Sequence, residues 1–148
     1  MSISDACELE VIKYMFNATA ATWAGNTNFW VSLHTADPGD AGTAVSSEIS
    51  YTGYTRPAVV RTTSGWTAAN PTANVGAINM GAMTAGTGGT VTHVGVVSTT
   101  SGADQLIASG ACTPNTHRAF IYAGGPMTDW IRWLALASLA VYFVFDFI

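Results

Sequence analysis

The spacing of apolar residues changes once along the chain, and this change constrains the fold more than any other feature. Leu9, Ile12 and Phe16 follow a helical period and share one face. From residue 29 the period becomes two, as in a strand, and after residue 40 short extended segments are separated by Gly, Pro and Asn. Such spacing suits an all-β sandwich better than a repeated β-α unit. We therefore predict a mainly β fold with one N-terminal helix over residues 1–17.

The predicted helix has the signals of a helix N-terminus. Ser4 or Asp5 can accept hydrogen bonds from the first unpaired backbone N–H groups. Acidic residues at positions 5, 8 and 10 lie near the positive end of the helix dipole. The helical pattern fades at Asn17.

Strand candidates follow the helix. The first is 29–34, which stops at the turn formed by residues 37–40. The others are 58–62, the region around Trp66, 75–80, 91–98 and 105–111. The segment 91–97 is the strongest of them, and its Gly95 indicates either a bulge or a close backbone approach.

A length of 148 residues suits a single domain with one core. Within one domain spanning 1–148 we expect three parts. They are the helix (1–17), a β-sandwich core (29–114) and an apolar C-terminal segment of uncertain structure (115–148).

The C-terminal segment differs from the rest of the chain. Only Arg132 and Asp146 are charged between residues 130 and 148, and the uncharged run 133–145 is shorter than the roughly 20 apolar residues of a membrane-spanning helix. Three interpretations stay open: buried strands or a docked terminal element, which we favour, a membrane anchor, or a segment paired with another subunit.

Charge excludes some function classes. Only 9% of the residues are charged, and the net charge is −4. The five cations are scattered, whereas a nucleic-acid backbone requires clustered positive charge, so we expect no nucleic-acid partner. The first ten residues contain three acids and do not form a signal peptide, so we expect synthesis in a cytoplasm. The two cysteines fit no zinc or redox motif.

The sequence also lacks the motifs of common catalytic sites. It contains neither Gly-x-Ser-x-Gly nor His-Glu-x-x-His. His34 and His93 lie within strand patterns, where we expect hydrogen-bonded structural histidines. Asp37 and Asp40 supply too few oxygens for calcium, and we expect them to cap their turn. We predict no enzyme activity, no cofactor and no metal site.

Four segments carry a resemblance to a known family. Residues 30–43 combine a strand with an Ala-Asp-Pro turn, and residues 48–59 contain an acid followed by Gly-Tyr-x-Arg before a strand. Residues 92–96 and 101–111 continue the pattern. Over about residues 2–114 the chain resembles small tailed-bacteriophage virion proteins that are usually labelled tail fibre proteins.

The resemblance implies a structural virion protein with a jelly-roll-like β-sandwich. It brings no catalytic residues. It implies that Arg56, of the Gly-Tyr-x-Arg step, holds the turn to the sheet or lies at a subunit contact. Members of that family usually close with a polar turn and a short strand of alternating Thr and Val, whereas residues 116–148 here form a long, aromatic and apolar segment. Further possible subunit-contact or structural positions in that segment are Trp130, Trp133, Phe143 and Phe145.

For function we expect a tail fibre or tail-associated protein that contributes to particle assembly and host attachment. The alternative is a capsid decoration, cement or head-spike protein that stabilises the particle. A weaker third possibility, an enzyme acting on a host polysaccharide, would need paired carboxylates about 5 to 10 Å apart. The expected partners are copies of the chain itself in a homotrimer, neighbouring virion proteins and a host surface receptor. Low charge is consistent with such contacts, because interface centres are depleted in charged residues.

Overall fold

The computed structural model describes residues 2–67, 72–117, 140–141 and 144–145. These residues contain one helix, α1, and nine strands. The elements are β1 (Ser2–Ile3), α1 (Asp5–Asn17), β2 (Asn28–His34), β3 (Ala58–Val60), β4 (Thr72–Ala73), β5 (Ile78–Asn79), β6 (Gly89–Val97), β7 (Leu106–His117), β8 (Ala140–Val141) and β9 (Val144–Phe145). The prediction of a mainly β fold with one N-terminal helix is confirmed.

A five-stranded antiparallel sheet organises the described residues. Its strand order is β1-β7-β6-β2-β3, and its longest pair is the hairpin of β6 and β7. Two smaller antiparallel pairs, β4 with β9 and β5 with β8, lie outside this sheet. The jelly-roll arrangement stays a prediction.

Strand β2 is buried on both faces over its second half. Val31 and Leu33 are 0% and 1% exposed, and Ser32 and His34 are both 0% exposed. The alternating pattern therefore predicts the strand correctly but does not separate a buried face from a solvent face. The reason is that Val31 and Leu33 pack into a hydrophobic cluster on one face of β2. On the other face Ser32 and His34 bond each other, and His34 also bonds the carbonyl group of Ser46.

The main core lies against the centre of the sheet. It is built from β2 and β6 together with segments 49–51 and 78–80. Its buried members are Val31, Leu33, Ile49, Tyr51, Ile78, Met80, Val91, Val94 and Val96. A smaller cluster of Ala44, Val97 and Leu106 packs with Trp30.

Gly95 lies where neighbouring side chains approach the backbone of β6 closely. A Cβ atom at this position would be 2.6 Å from Ser32 Oγ and 2.7 Å from His34 Nε2. The register shifts of β6 against β7 lie elsewhere, between residues 91 and 93 and between 96 and 97. The three atoms nearest to this Cβ position belong to side chains rather than to another backbone, so neither a bulge nor a close backbone approach accounts for Gly95.

Other strand boundaries differ from the predicted ones. The last predicted strand, 105–111, extends to His117 because β7 follows β6 along its whole length. The predicted strand 75–80 shortens to Ile78–Asn79, and Trp66 forms only an isolated bridge with Asn74.

Seven residues of the C-terminal segment are described, and all seven lie in strands: 115–117 end β7, 140–141 form β8 and 144–145 form β9. Val141 pairs with Ile78 in β5, and Phe145 pairs with Thr72 in β4. The interpretation of a docked terminal element stays a prediction. Trp130, Trp133 and Phe143 lie outside the described residues. In the described part of the chain no helix is both long and apolar enough to cross a membrane.

Candidate functional site: the Arg56 centre and the exposed face of α1

Arg56 lies in a buried polar centre. Arg56 lies two residues before β3 and follows the turn at Gly53, where φ is +99°. Arg56 is 6% exposed. Its Nε and Nη2 atoms donate to Glu48 Oε1 and Oε2, each at 2.6 Å. Such a bidentate pair aligns the planar guanidinium with the carboxylate, so it fixes the orientation of Arg56 relative to Glu48 as well as the distance between them.

The same guanidinium also binds three backbone carbonyl groups. Nη2 donates to the carbonyl oxygens of Ala44 at 3.2 Å and Gly102 at 3.1 Å, and Nη1 donates to that of Thr99 at 3.4 Å. These carbonyls belong to two loops that are far apart in sequence. Arg56 therefore connects the loop after β2 to the loop between β6 and β7.

Tyr54 completes the centre. Its hydroxyl donates to Glu48 Oε1 at 2.8 Å and accepts from the backbone N–H of Leu33 in β2 at 3.0 Å. Burial and then the Glu48 charge raise the pKa of Tyr54, so that it keeps its proton. The hydrogen bond with Glu48 raises the pKa of Arg56. Glu48 itself is positioned by a bridge to His34 in β2.

The sequence indicated only part of this centre. The Gly-Tyr-x-Arg step pointed to Arg56, and an acid precedes that step in the resemblance. No pattern in the sequence identifies the three carbonyl acceptors or the contact of Tyr54 with β2, because backbone carbonyls are the same for every residue type. The hydrogen bonds of Arg56 go to Glu48 and these carbonyls.

A second polar group surrounds His34. Its Nδ1 lies 2.7 Å from the carbonyl oxygen of Ser46, and its Nε2 lies 2.8 Å from Ser32 Oγ. Because a carbonyl only accepts, Nδ1 carries the proton and Nε2 accepts from Ser32. Burial lowers the pKa of His34 and favours this neutral form. Both side chains are 0% exposed, so a serine beside a histidine here has no access to a substrate.

His93 in β6 lies near Asp37, which belongs to the turn after β2. His93 Nε2 is 3.9 Å from Asp37 Oδ2, and Nδ1 is 2.9 Å from Thr92 Oγ1. Asp37 Oδ1 accepts from the backbone N–H of Gly39 at 2.9 Å, which confirms its predicted capping role. Within residues 2–67, 72–117, 140–141 and 144–145 no group of three or more His, Cys, Asp or Glu residues is arranged to hold a metal ion.

Arg61 is a structural cation that the sequence analysis missed. Its guanidinium carbon lies 5.2 Å from the ring centre of Trp23 and 4.6 Å from that of Phe29. Nη1 also donates to the carbonyl oxygens of Trp23 at 2.8 Å and Asn26 at 2.7 Å. Cation–π contacts and charged hydrogen bonds of this kind hold the 21–27 connector against the sheet.

Helix α1 presents the largest run of exposed apolar side chains among the described residues. Of its residues only Cys7 is buried. Its exposed large apolar residues are Leu9 (50%), Val11 (39%), Ile12 (52%), Tyr14 (65%), Met15 (68%) and Phe16 (77%). The predicted shared face of Leu9, Ile12 and Phe16 therefore exists, and it is turned to solvent rather than to the sheet.

In a comparison with protein families, the chain matches a family model over most of its length. The matching family is described as podophage GP4 fiber I protein gp80, and the match spans residues 2–119. No curated protein matches the chain. The resemblance to phage tail fibre proteins is thereby confirmed, and the chain is a structural protein of a phage fibre and a component of the virion. The chain belongs to the podophage GP4 fiber I protein family.

Proposed function

We propose that this chain is a self-associating building block of a podophage tail fibre, that it assembles as a homotrimer, and that it contributes to host attachment. The observation that carries the proposal is the family match over residues 2–119, which includes the whole five-stranded sheet, α1 and the Arg56 centre. The functional partners are other copies of the chain, neighbouring virion proteins and a host surface receptor.

The internal chemistry supports a structural role. The Arg56 centre and the His34 group use their donors and acceptors on partners within the chain. We assign to Arg56 the task of holding the loops around Ala44 and Gly102 to β2 through Glu48 and Tyr54. A fibre subunit benefits from such ties, because loops of fixed geometry present a fixed surface to neighbouring subunits.

The exposed surface supports self-association. The described residues carry few charges. Helix α1 adds an apolar face that the other described residues leave uncovered. Exposed apolar patches on soluble proteins mark contacts with other molecules. In a virion component the neighbouring molecules are copies of the chain or other virion proteins.

The organisation of the chain is part of the same proposal. We propose a single domain over residues 1–148 in which the C-terminal segment docks on the body. The pairing of β8 with β5 and of β9 with β4 supports this arrangement.

Immunogold labelling of intact particles, with antibodies raised against the purified chain, tests the location. We expect gold on the tail fibres. Gold on the capsid or at head vertices would overturn the proposal in favour of a decoration, cement or spike protein. Labelling of particles that lack the gene provides the negative control.

Adsorption to host cells tests the attachment role separately. We expect particles lacking the chain to adsorb more slowly, and the purified chain to compete with wild-type particles for the cell surface. Wild-type adsorption of particles that lack the chain would refute host attachment and leave the fibre location untouched.

A further inference from the structure

One apolar face of α1 lies opposite the side by which the helix contacts the sheet, and Val11, Tyr14 and Met15 are exposed on the other sides. Cys7, 4% exposed, is on the side of α1 that meets β7. At about 100° per residue, the mean direction of Leu9, Ile12 and Phe16 is roughly 180° from that of Cys7. These three side chains are 50%, 52% and 77% exposed. They form a stripe that no other described part of the chain covers, and we call it the α1 stripe.

The spacing of the α1 stripe is that of a helix–helix seam. Leu9, Ile12 and Phe16 are separated by three and then four residues, which are the intervals of the a, d and following a positions of a heptad. Glu8 then takes a g position and Lys13 an e position, the two positions that flank such a seam. Both side chains are exposed. Among the described residues the pairs of oppositely charged groups within 4.0 Å are Arg56 with Glu48 and, when its imidazole is protonated, His93 with Asp37. Neither flanking charge therefore has an ion-pair partner in the described part of the chain.

The two flanking charges specify the partner and its direction. In a parallel, in-register pair of helices, a g residue faces the e residue that lies five positions later on the neighbouring helix. Glu8 and Lys13 are separated by five positions and have opposite charges. An antiparallel pair would instead place Glu8 against Glu8 and Lys13 against Lys13. Interhelical e–g pairs select partner and orientation in this way.

We propose that α1 packs in parallel and in register against α1 of other copies of the chain, with the α1 stripe as the seam and Glu8 facing Lys13 of the neighbour. This inference rests on the proposed self-association and identifies the surface that carries it. The occupant of the α1 stripe is the same stripe of another copy.

Hydrogen bonds to β7 and to Thr22 hold α1 in place before any contact with another copy. Ser4 caps it, accepting from the backbone N–H of Cys7 at 3.2 Å, and its hydroxyl donates to the carbonyl oxygen of Leu106 in β7. The Glu10 carboxylate accepts from the hydroxyl of Thr22 at 2.7 Å and from its backbone N–H at 3.1 Å. A helix of 13 residues is marginal in isolation, but one that is already ordered loses less entropy on association.

The first test places a charge in the α1 stripe of the full chain. Ile12→Asp puts a carboxylate in the middle of the seam, whereas Tyr14→Asp puts the same group on another side of the helix, at a side chain that is 65% exposed. Sedimentation velocity over a concentration series measures association, and circular dichroism verifies folding. We expect Ile12→Asp to raise the dissociation constant at least about tenfold. We expect Tyr14→Asp to change it less than about twofold, since an exposed position outside the seam is not buried by association.

The second test reverses the flanking charges. Glu8→Lys and Lys13→Glu should each weaken association, and the double variant should recover it. Reversing both charges is unfavourable for the helix itself, because it places a cation in the first half and an anion in the second half of α1. Recovery therefore cannot come from a more stable helix, and it would identify the pair between copies.

The outcomes separate this inference from the proposed function. A wild-type chain that is monomeric at all concentrations would refute the proposed self-association. An oligomeric wild type that is unaffected by Ile12→Asp, or affected equally by Tyr14→Asp, would refute only the α1 seam. Failure of the double charge reversal to restore association would refute the parallel orientation.

Discussion

Replacing Arg56 by methionine should destabilise the fold strongly. The substitution keeps much of the apolar stem but removes the guanidinium from a site that is 6% exposed. Glu48, whose side chain is 13% exposed, would lose both hydrogen bonds to Arg56, and the carbonyls of Ala44, Thr99 and Gly102 would lose a donor. Breaking a buried pair from one side costs about 3–5 kcal/mol, because the remaining charge stays buried without its partner. For a domain of this size that corresponds to a fall in melting temperature of roughly 6–20 °C.

The assay is chemical unfolding at one fixed protomer concentration, since self-association adds to apparent stability. A double-mutant cycle uses Arg56→Met, Glu48→Gln and the double variant. We expect the double variant to lose less stability than the sum of the single losses, by about 1–3 kcal/mol, because the second substitution removes the charge that the first one leaves unpaired. Arg56→Lys keeps the charge but not the planar fork, so its loss should lie between those of wild type and Arg56→Met.

Two results would refute the reasoning about the Arg56 centre. One is a loss below about 1 kcal/mol for Arg56→Met, which is the range of an exposed ion pair. The other is strict additivity of the two single substitutions, which would mean that Glu48 and Arg56 contribute independently.

Two further predictions concern the sheet interior. Gly95→Ala should cost about 1–3 kcal/mol, because its Cβ would be 2.6 Å from Ser32 Oγ and 2.9 Å from Leu106 Cδ1. Gly25→Ala, where no heavy atom lies within 4 Å of the added Cβ, serves as the control, and equal effects in urea unfolding would contradict the close approach. The pKa of His34 is lowered in the folded state, so its contribution to stability is complete above the unfolded pKa of about 6.5 and is lost as the pH falls toward the folded value. The free energy of unfolding of His34→Gln should therefore depend less on pH below about 6.5 than that of wild type, and identical pH profiles would refute the assignment.

Local features were predictable because they depend on residues close in sequence. Ser4 or Asp5 was expected to begin the helix, and Ser4 caps it through the backbone N–H of Cys7. Asp37 caps its turn as expected, through Gly39. Strand β2 follows from its alternating residues. In each case the interacting groups are within a few positions of each other, so residue type and spacing carry the information.

The Arg56 centre was predictable only at one residue. The Gly-Tyr-x-Arg step marked Arg56, but its function depends on the carbonyls of Ala44, Thr99 and Gly102, which meet only when β2, β6 and β7 are paired. Arg61 had no motif at all, because its partners are two aromatic rings and several carbonyls that converge in space.

The sequence by itself determined the helix, the longer strands β2, β6 and β7, the turn at residues 37–40 and the apolar stripe at positions 9, 12 and 16, and it narrowed the cap of α1 to Ser4 or Asp5. Only the tertiary structure decided which way each element faces. Cys7 meets β7, so the α1 stripe is turned to solvent, and β2 is covered on both sides, so Ser32 and His34 are buried. The physical reason is the distance along the chain over which each effect acts. Periodicity and capping act over one or two turns, whereas the direction of a face is determined by what packs against it, often from a distant part of the chain.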